Sequence, residues 1–281
     1  MYKAPGEHRN GTRDRGARPL KLHGIHHVTA ITGCPDRCIE FYGELLGLAR
    51  LPDAHGPKGR VIRFGDELGR PGSTLCFIKR PGAGPGRPGA GMVYRIRWRV
   101  ADLEVLDFWS RRLNAAGVQA TYEDPSAGEA LLRFADSEGL EHELVPTGPE
   151  RVALVARSAD LSPHRALRGF DGVHAYCREP VPTADVLAGR LGFDALHESA
   201  FAVAGPRRRA HYVLDPPPRR PGRAGGGTVD HVAWWGHREH QYVWRQRVIG
   251  LGIRVSPVLS RGPLESIFFR EPSGVLFEIA A

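Results

Sequence analysis

Hydrophobic and polar positions recur along this chain in one arrangement, four times over. A short β-rich run opened by a small residue is followed by a polar turn, an amphipathic helix ending in glycine, and further strands. The first copy begins Gly24-Ile25-His26-His27-Val28-Thr29-Ala30-Ile31. Its helix carries Cys38, Phe41, Tyr42 and Leu45 at i, i+3, i+4 and i+7 and stops at Gly47. Residues 60–64 and 73–79 then read as strands. The second copy begins Met92-Val93-Tyr94-Arg95-Ile96, with a helix through Leu106, Trp109 and Leu113 that stops at Gly117. The third begins Gly172-Val173-His174-Ala175-Tyr176, and its helix ends at Leu191-Gly192-Phe193. The fourth begins Thr228-Val229-Asp230-His231-Val232, with a helix through Trp244 and Val248 that ends at Gly250 or Gly252. The second and fourth copies close on parallel phrases, residues 136–144 and 271–279. In each, a glycine turn launches a strand with a glutamate four residues later, Glu143 and Glu278.

One helix on a few strands cannot bury its apolar face alone, so the units must pair. The expected fold class is α+β: four βαβββ modules paired into two halves. Residues 23–150 form the N-terminal half (modules one and two) and residues 151–281 the C-terminal half (modules three and four). Residues 82–90 and 148–170 read as connections. Residues 1–22, basic and rich in Gly and Pro, are expected to be disordered.

Composition excludes several classes of protein. No stretch approaches the ~18 apolar residues of a membrane span, and the N-terminal segment lacks the apolar core of a secretory signal. A cytoplasmic protein with no membrane partner is expected. Four cysteines are too few for a disulfide framework. The formal charge is +8, with arginine supplying 35 of the 39 basic residues. These are spread along the chain, and the clusters Arg207-Arg208-Arg209 and Arg219-Arg220 fall in Pro/Gly-rich loops. A nucleic-acid surface would concentrate its charge on one element with interleaved aromatics. No nucleic-acid partner is expected; the surface should instead attract small anions.

Thirteen histidines make strand register the means of sorting possible metal ligands. With Ile25, Val93, Val173 and Val229 aligned, the positions two residues later hold His27, Arg95, Ala175 and His231. The positions one residue later hold His26, Tyr94, His174 and Asp230. Side chains alternate along a strand, so the two sets face opposite sides. If His231 faces a site, His27 faces it likewise, while His174 is one residue out of register. The last strand of the fourth module adds Glu278. Its equivalent in the second module, Glu143, is accompanied by Arg95 where a histidine would be needed, and the matching position of the first module is Cys76. A lone strand histidine is more often a core or surface residue than a ligand; equivalent module positions single out His27, His231 and Glu278. Two imidazoles and a carboxylate are the set used by non-heme Fe(II) oxygenases, with Mn(II) as the hard-ligand substitute. His174, His211, His237 and His240 read as structural or solvated.

The module pattern resembles the vicinal oxygen chelate superfamily, which includes glyoxalase, bleomycin-resistance proteins and extradiol dioxygenases. Residues 24–32 (GIHHVTAIT), 65–74 (GDELGRPGST) and 266–279 (SIFFREPSGVLFEI) are similar in particular to the four-module hydroquinone-type ring-cleaving dioxygenases. Covering residues 24–281, the resemblance implies the vicinal oxygen chelate fold and the same metal triad, shared by the first and fourth modules. It further implies Fe(II), a small aromatic substrate and dioxygen, with His26, Thr29 and Arg261 as further catalytic residues. Two positions depart from the family. Asp230 stands where a histidine is usual, and can act as acid or base or orient a ligand; Phe268 stands where a tyrosine is usual. Two other readings compete: a glyoxalase-type metal-dependent lyase or isomerase, and a metal-free module that binds an aromatic drug. Exposed sheet edges of paired modules would allow a homodimer.

Overall fold

The computed structural model describes residues 20–56, 58–123, 129–148, 154–205, 208–261 and 264–281. Each module keeps the expected order. The first runs β1 (Ile25–Thr32), α1 (Pro35–Ile39), β2 (Ala49–Gly56), β3 (Gly59–Gly65) and β4 (Thr74–Lys79). The second runs β5 (Met92–Val100), α2 (Leu103–Ala115), β6 (Thr121–Glu123), β7 (Leu131–Ala135) and β8 (Glu141–Pro146). The third comprises β9 (Phe170–Tyr176), α3 (Pro180–Arg190), β10 (Asp194–His197), β11 (Ala200–Ala204) and β12 (Arg209–Asp215). The fourth comprises β13 (Val229–Trp235), α4 (Gln241–Ile249), β14 (Leu259–Arg261), β15 (Leu264–Arg270) and β16 (Leu276–Ala280).

Local chemistry accounts for the helices. The Asp102 side chain caps α2 by accepting from the Val105 amide at 3.2 Å, and Val105, Leu106, Trp109 and Leu113 form its buried face. In the first module, α1 starts on a proline and widens into a π-helical turn over Glu40–Leu45, which buries Phe41 and Tyr42. Tyr42 donates to Asp136 at 2.8 Å and meets His142 Nε2 at 2.9 Å, while the Trp98 indole donates to His142 Nδ1 at 3.1 Å. This buried relay ties the helical segment of module one to the strands of module two. Burial drives the His142 imidazole down to about 3, so it stays neutral and serves as one donor and one acceptor.

The modules pair across the chain. One eight-stranded sheet has the order β14-β15-β16-β13-β1-β4-β3-β2, and the other β10-β11-β12-β9-β5-β8-β7-β6. Module one therefore joins module four, and module two joins module three; each sheet takes one module from each half of the sequence. At the centre of the first sheet β1 and β13 run antiparallel, with Val28 opposite Val232. At the centre of the second, β5 and β9 place Ile96 opposite Val173. One hydrophobic cluster draws on both sheets, from Val28, Phe64 and Phe77 to Trp98, Tyr212 and Trp234. Leu22, which the sequence places in the N-terminal disordered segment, is buried in that cluster; residues 1–19 lie outside the described residues. Among the described residues no helix is long and apolar enough to cross a membrane.

Candidate metal centre

Three neighbouring strands of the first sheet converge on one point. His27 on β1 and His231 on β13 present Nε2 to the same carboxylate oxygen of Glu278 on β16, at 3.2 and 3.0 Å. One ligand atom from each residue lies within 4.8 Å of the others. Glu278 is 1% exposed, and its second oxygen, Oε1, is buried with no hydrogen-bond partner among the described residues. Burial opposes ionisation of this carboxyl, but the two imidazoles hold it well below the usual carboxylate range. A buried anionic oxygen with nothing to pair it is costly unless a cation reaches it. The arrangement fits a divalent metal, which would take both Nε2 atoms and the Glu278 carboxylate.

The outer nitrogens of both imidazoles are engaged. His231 Nδ1 donates to Asp230 Oδ2 at 2.9 Å, and Lys58 Nζ spans both oxygens of Asp230 at 2.6 and 2.8 Å. Burial works against the Asp230 charge, but His231 and Lys58 outweigh it and hold the carboxyl at about 2. His27 Nδ1 meets His26 Nδ1 at 2.9 Å. Burial, reinforced by the neighbouring His27, pulls His26 down to about 3. With the proton on the Nδ1 of each ligand imidazole, the Nε2 lone pairs are left facing the metal position.

Sequence alternation alone places His26 and Asp230 on the face away from the ligands, and the structure corrects this. Ile25 pairs Trp234 and His27 pairs Ala233, so His26 is an extra residue on β1. Thr29 pairs His231 and Ala30 pairs Val229, so Asp230 is an extra residue on β13. His27 and His231 thus each follow a bulge, which re-aims the residue before it. His26, Thr29 and Asp230 all line the same cavity as the triad, a space of about 970 Å³. Its apolar wall includes Val61, Ile78, Leu264, Leu276 and Phe268, and the Phe268 ring stands edge-on to His231 at 5.5 Å. Arg261 ends β14, and its side chain lies outside the described residues. Sequence reasoning missed Lys58 and Arg63, which also line the cavity; Asp230 in place of a histidine, an anion in need of a cation, was the only available signal for Lys58.

The second sheet repeats this framework without the ligands. Aligning the Ile96/Val173 pair on Val28/Val232 puts Arg95 at the place of His27 and Gly172 at the place of His231. Glu143, paired with Arg97, falls at the place of Cys76 in this alignment; laying β5 on β13 and β9 on β1 instead puts it at the place of Glu278, with Arg95 at that of His231 and Gly172 at that of His27. The third module is thus shifted by three residues from its sequence alignment: Phe170, not Val173, matches Val229. A side chain at Gly172 would meet the His211 carbonyl at 2.5 Å, so no ligand fits there. His174 instead bridges Glu143 at 3.1 Å and Asp215 at 2.9 Å. Glu143 is also faced by Arg95, Arg97 and Arg133 at 3.5, 3.2 and 3.4 Å. Guanidinium groups fill the space that a metal would need.

Comparison with known proteins is consistent with this geometry. A family model described as Glyoxalase/Bleomycin resistance protein/Dioxygenase superfamily matches residues 24–144. Over 267 residues the chain is 33% identical to the protein named "Putative ring-cleaving dioxygenase MhqO" of Bacillus subtilis (strain 168), with 92% of this chain and 85% of that protein covered. It is 27% identical over 276 residues to the chlorohydroquinone/hydroquinone 1,2-dioxygenase of Sphingobium indicum, with 92% and 85% covered. A crystal structure described as a "putative dioxygenase" from Bacillus subtilis subsp. subtilis str. 168 superposes with a TM-score of 0.84 at 31% identity, covering 93% of this chain and 86% of that one.

Proposed function

The chain belongs to the glyoxalase/bleomycin resistance protein/dioxygenase superfamily, and on that premise we propose that it is a non-heme Fe(II)-dependent, extradiol-type ring-cleaving dioxygenase acting on a hydroquinone or another dihydroxyaromatic compound. The observation that carries this reading is the donor set, two imidazole Nε2 atoms and one carboxylate converging at the wall of a large cavity. Two histidines and one carboxylate keep coordination positions open for small molecules. Relatives named as ring-cleaving dioxygenases, one of them named for hydroquinone, support the same class. A glyoxalase-type lyase or isomerase would draw on a further carboxylate, and the module-one position that matches Glu278 holds Cys76.

When bound, Fe(II), or Mn(II) in its place, supplies the electronic link between an electron-rich ring and dioxygen. His27, His231 and Glu278 hold the ion. Asp230 acts by fixing the tautomer and aim of His231, since Lys58 and His231 engage its oxygens. His26, whose Nδ1 accepts from His27, offers its outer N–H, and Thr29 its hydroxyl, as hydrogen-bond donors that orient the oxygen of a ring hydroxyl. Phe268 and the aliphatic wall exclude bulk water from the ring. Arg261, two residues from the cavity-lining Leu259, completes the set as the holder of an oxyanion.

The test is oxygen uptake by anaerobically Fe(II)-loaded protein offered hydroquinone, methylhydroquinone and catechol in turn. Uptake matched one for one by a ring-opened product supports the reading. No uptake from protein shown to hold iron overturns it.

A further inference from the structure

The proposed reaction leaves one cation of the cavity without a task. Arg63 lies on β3 opposite Cys76; Cys76 pairs Thr29, and Thr29 pairs His231. These four side chains form a row across adjacent strands, so Arg63 shares the catalytic face two strands from β1 and three from β13. It lines the same cavity. Five other cations of this module are matched to carboxylates. Asp53 takes Arg50, Arg60 and Lys79, Asp66 takes Arg70, and Asp230 takes Lys58. Among the described residues Arg63 has no carboxylate. Its contact is the Cys76 thiol, which burial pushes up to about 11 against the pull of Arg63 and Thr29. At that value the thiol is neutral, and a neutral sulfur is a weak acceptor for a half-buried guanidinium. The volume of about 970 Å³ also exceeds what an unsubstituted ring would fill, leaving room for a substituent beside the guanidinium.

We propose that Arg63 binds an anionic substituent of the ring, so that the site favours dihydroxyaromatic substrates carrying a carboxylate over neutral ones. This rests on the proposed ring-cleaving reaction and names its substrate class. A guanidinium and a carboxylate meet through two parallel hydrogen bonds, which a neutral alkyl group cannot replace. The rest of the cavity agrees: Asp230 and Glu278, the acidic residues lining it, are both engaged by cations or imidazoles, so neither repels an anion held at Arg63.

The test compares 2,5-dihydroxybenzoate, a hydroquinone bearing a carboxylate, with methylhydroquinone. Anaerobic calorimetry on metal-loaded protein gives their affinities for the wild type, Arg63→Gln and Arg63→Lys. The wild type is expected to bind the carboxylate compound about tenfold more tightly than the neutral one. Arg63→Gln should remove most of that difference, and Arg63→Lys should restore part of it, which a merely structural role would not do. Equal or tighter binding of methylhydroquinone by the wild type overturns the inference, as does an equal loss for both compounds in Arg63→Gln. Failure of the ring-cleaving reading appears separately, as absent oxygen uptake with either compound.

Discussion

Glu143 occupies in the second sheet the position that Glu278 occupies in the first, but holds guanidinium groups where Glu278 would hold a metal. Replacing it by Gln keeps its shape and removes its charge. The side chain is fully buried and faces His174, Arg97, Arg133 and Arg95, all within 3.5 Å. Burial opposes its ionisation, yet His174 and the arginines bring its carboxyl from 4.5 to about 2. At about 1.36 kcal/mol per pH unit, that difference amounts to about 3 kcal/mol of stability at neutral pH. Removing one partner of a buried ion pair typically costs about 3–5 kcal/mol, which agrees. For a chain of this size each kcal/mol moves Tm by about 2–4 °C, so Glu143→Gln should lower Tm by about 6–12 °C in scanning calorimetry at pH 7. Glu141, whose side chain is 40% exposed and pairs Arg95 at 2.7 Å, is the control. Glu141→Gln should shift Tm by no more than about 2 °C, as an exposed pair contributes little. A Glu143→Gln shift below about 2 °C, or equal shifts for the two variants, would refute the reasoning.

The same cluster sets a pH window. Glu143 and Asp215 are held below their usual values, so their contribution is complete above about pH 4.5 and lost as pH falls through the lowered values, about 2 for Glu143. His174 is raised above 6.5, against the effect of burial, by its bonds to Asp215 and Glu143; its contribution is complete below 6.5 and lost as pH rises through the raised value. Tm measured against pH should fall on both sides, and His174→Gln should flatten the alkaline side; an unchanged profile would remove His174 from the cluster. Asp230→Asn should weaken Fe(II) binding about 10–100-fold in a competitive chelator titration, and Lys58→Ala by less. An unchanged affinity in Asp230→Asn would deny Asp230 its orienting role. Gly227 has φ +77°, and a Cβ there would lie 2.1 Å from the Glu138 carbonyl oxygen. Gly227→Ala should therefore cost about 2 kcal/mol or more in denaturant unfolding, and an unchanged midpoint would contradict that.

The modules, their helices and the convergence of His27, His231 and Glu278 were legible because each rests on local pattern. The glycine after each helix, the parallel phrases around Glu143 and Glu278, and the two histidines after Ile25 and Val229 need no knowledge of which module touches which. Pairing was not legible in the same way. The residues that bring β1 beside β13 are the apolar ones that every module start carries, so pattern alone cannot choose between partners some 200 positions apart. The third module misled for a physical reason: Gly172 stands where His231 stands in the fourth, because β12 approaches too closely for a side chain. The strand therefore has no polar marker at the ligand position, and Val173 offered a false match to Val229. Strict alternation failed at His26 and Asp230, since a bulge is a property of two paired strands rather than of one sequence. Lys58 belongs to no motif; it reaches Asp230 from the β2–β3 hairpin, 172 residues away.

The most direct test of a metal centre shared by modules one and four is the stoichiometry of Fe(II) bound under anaerobic conditions, measured for the wild type and three variants. One ion per chain is expected in the wild type and in His174→Ala, and none in His27→Ala or His231→Ala. Metal lost from His174→Ala but retained by His27→Ala and His231→Ala would put the ion in the other sheet and contradict the account.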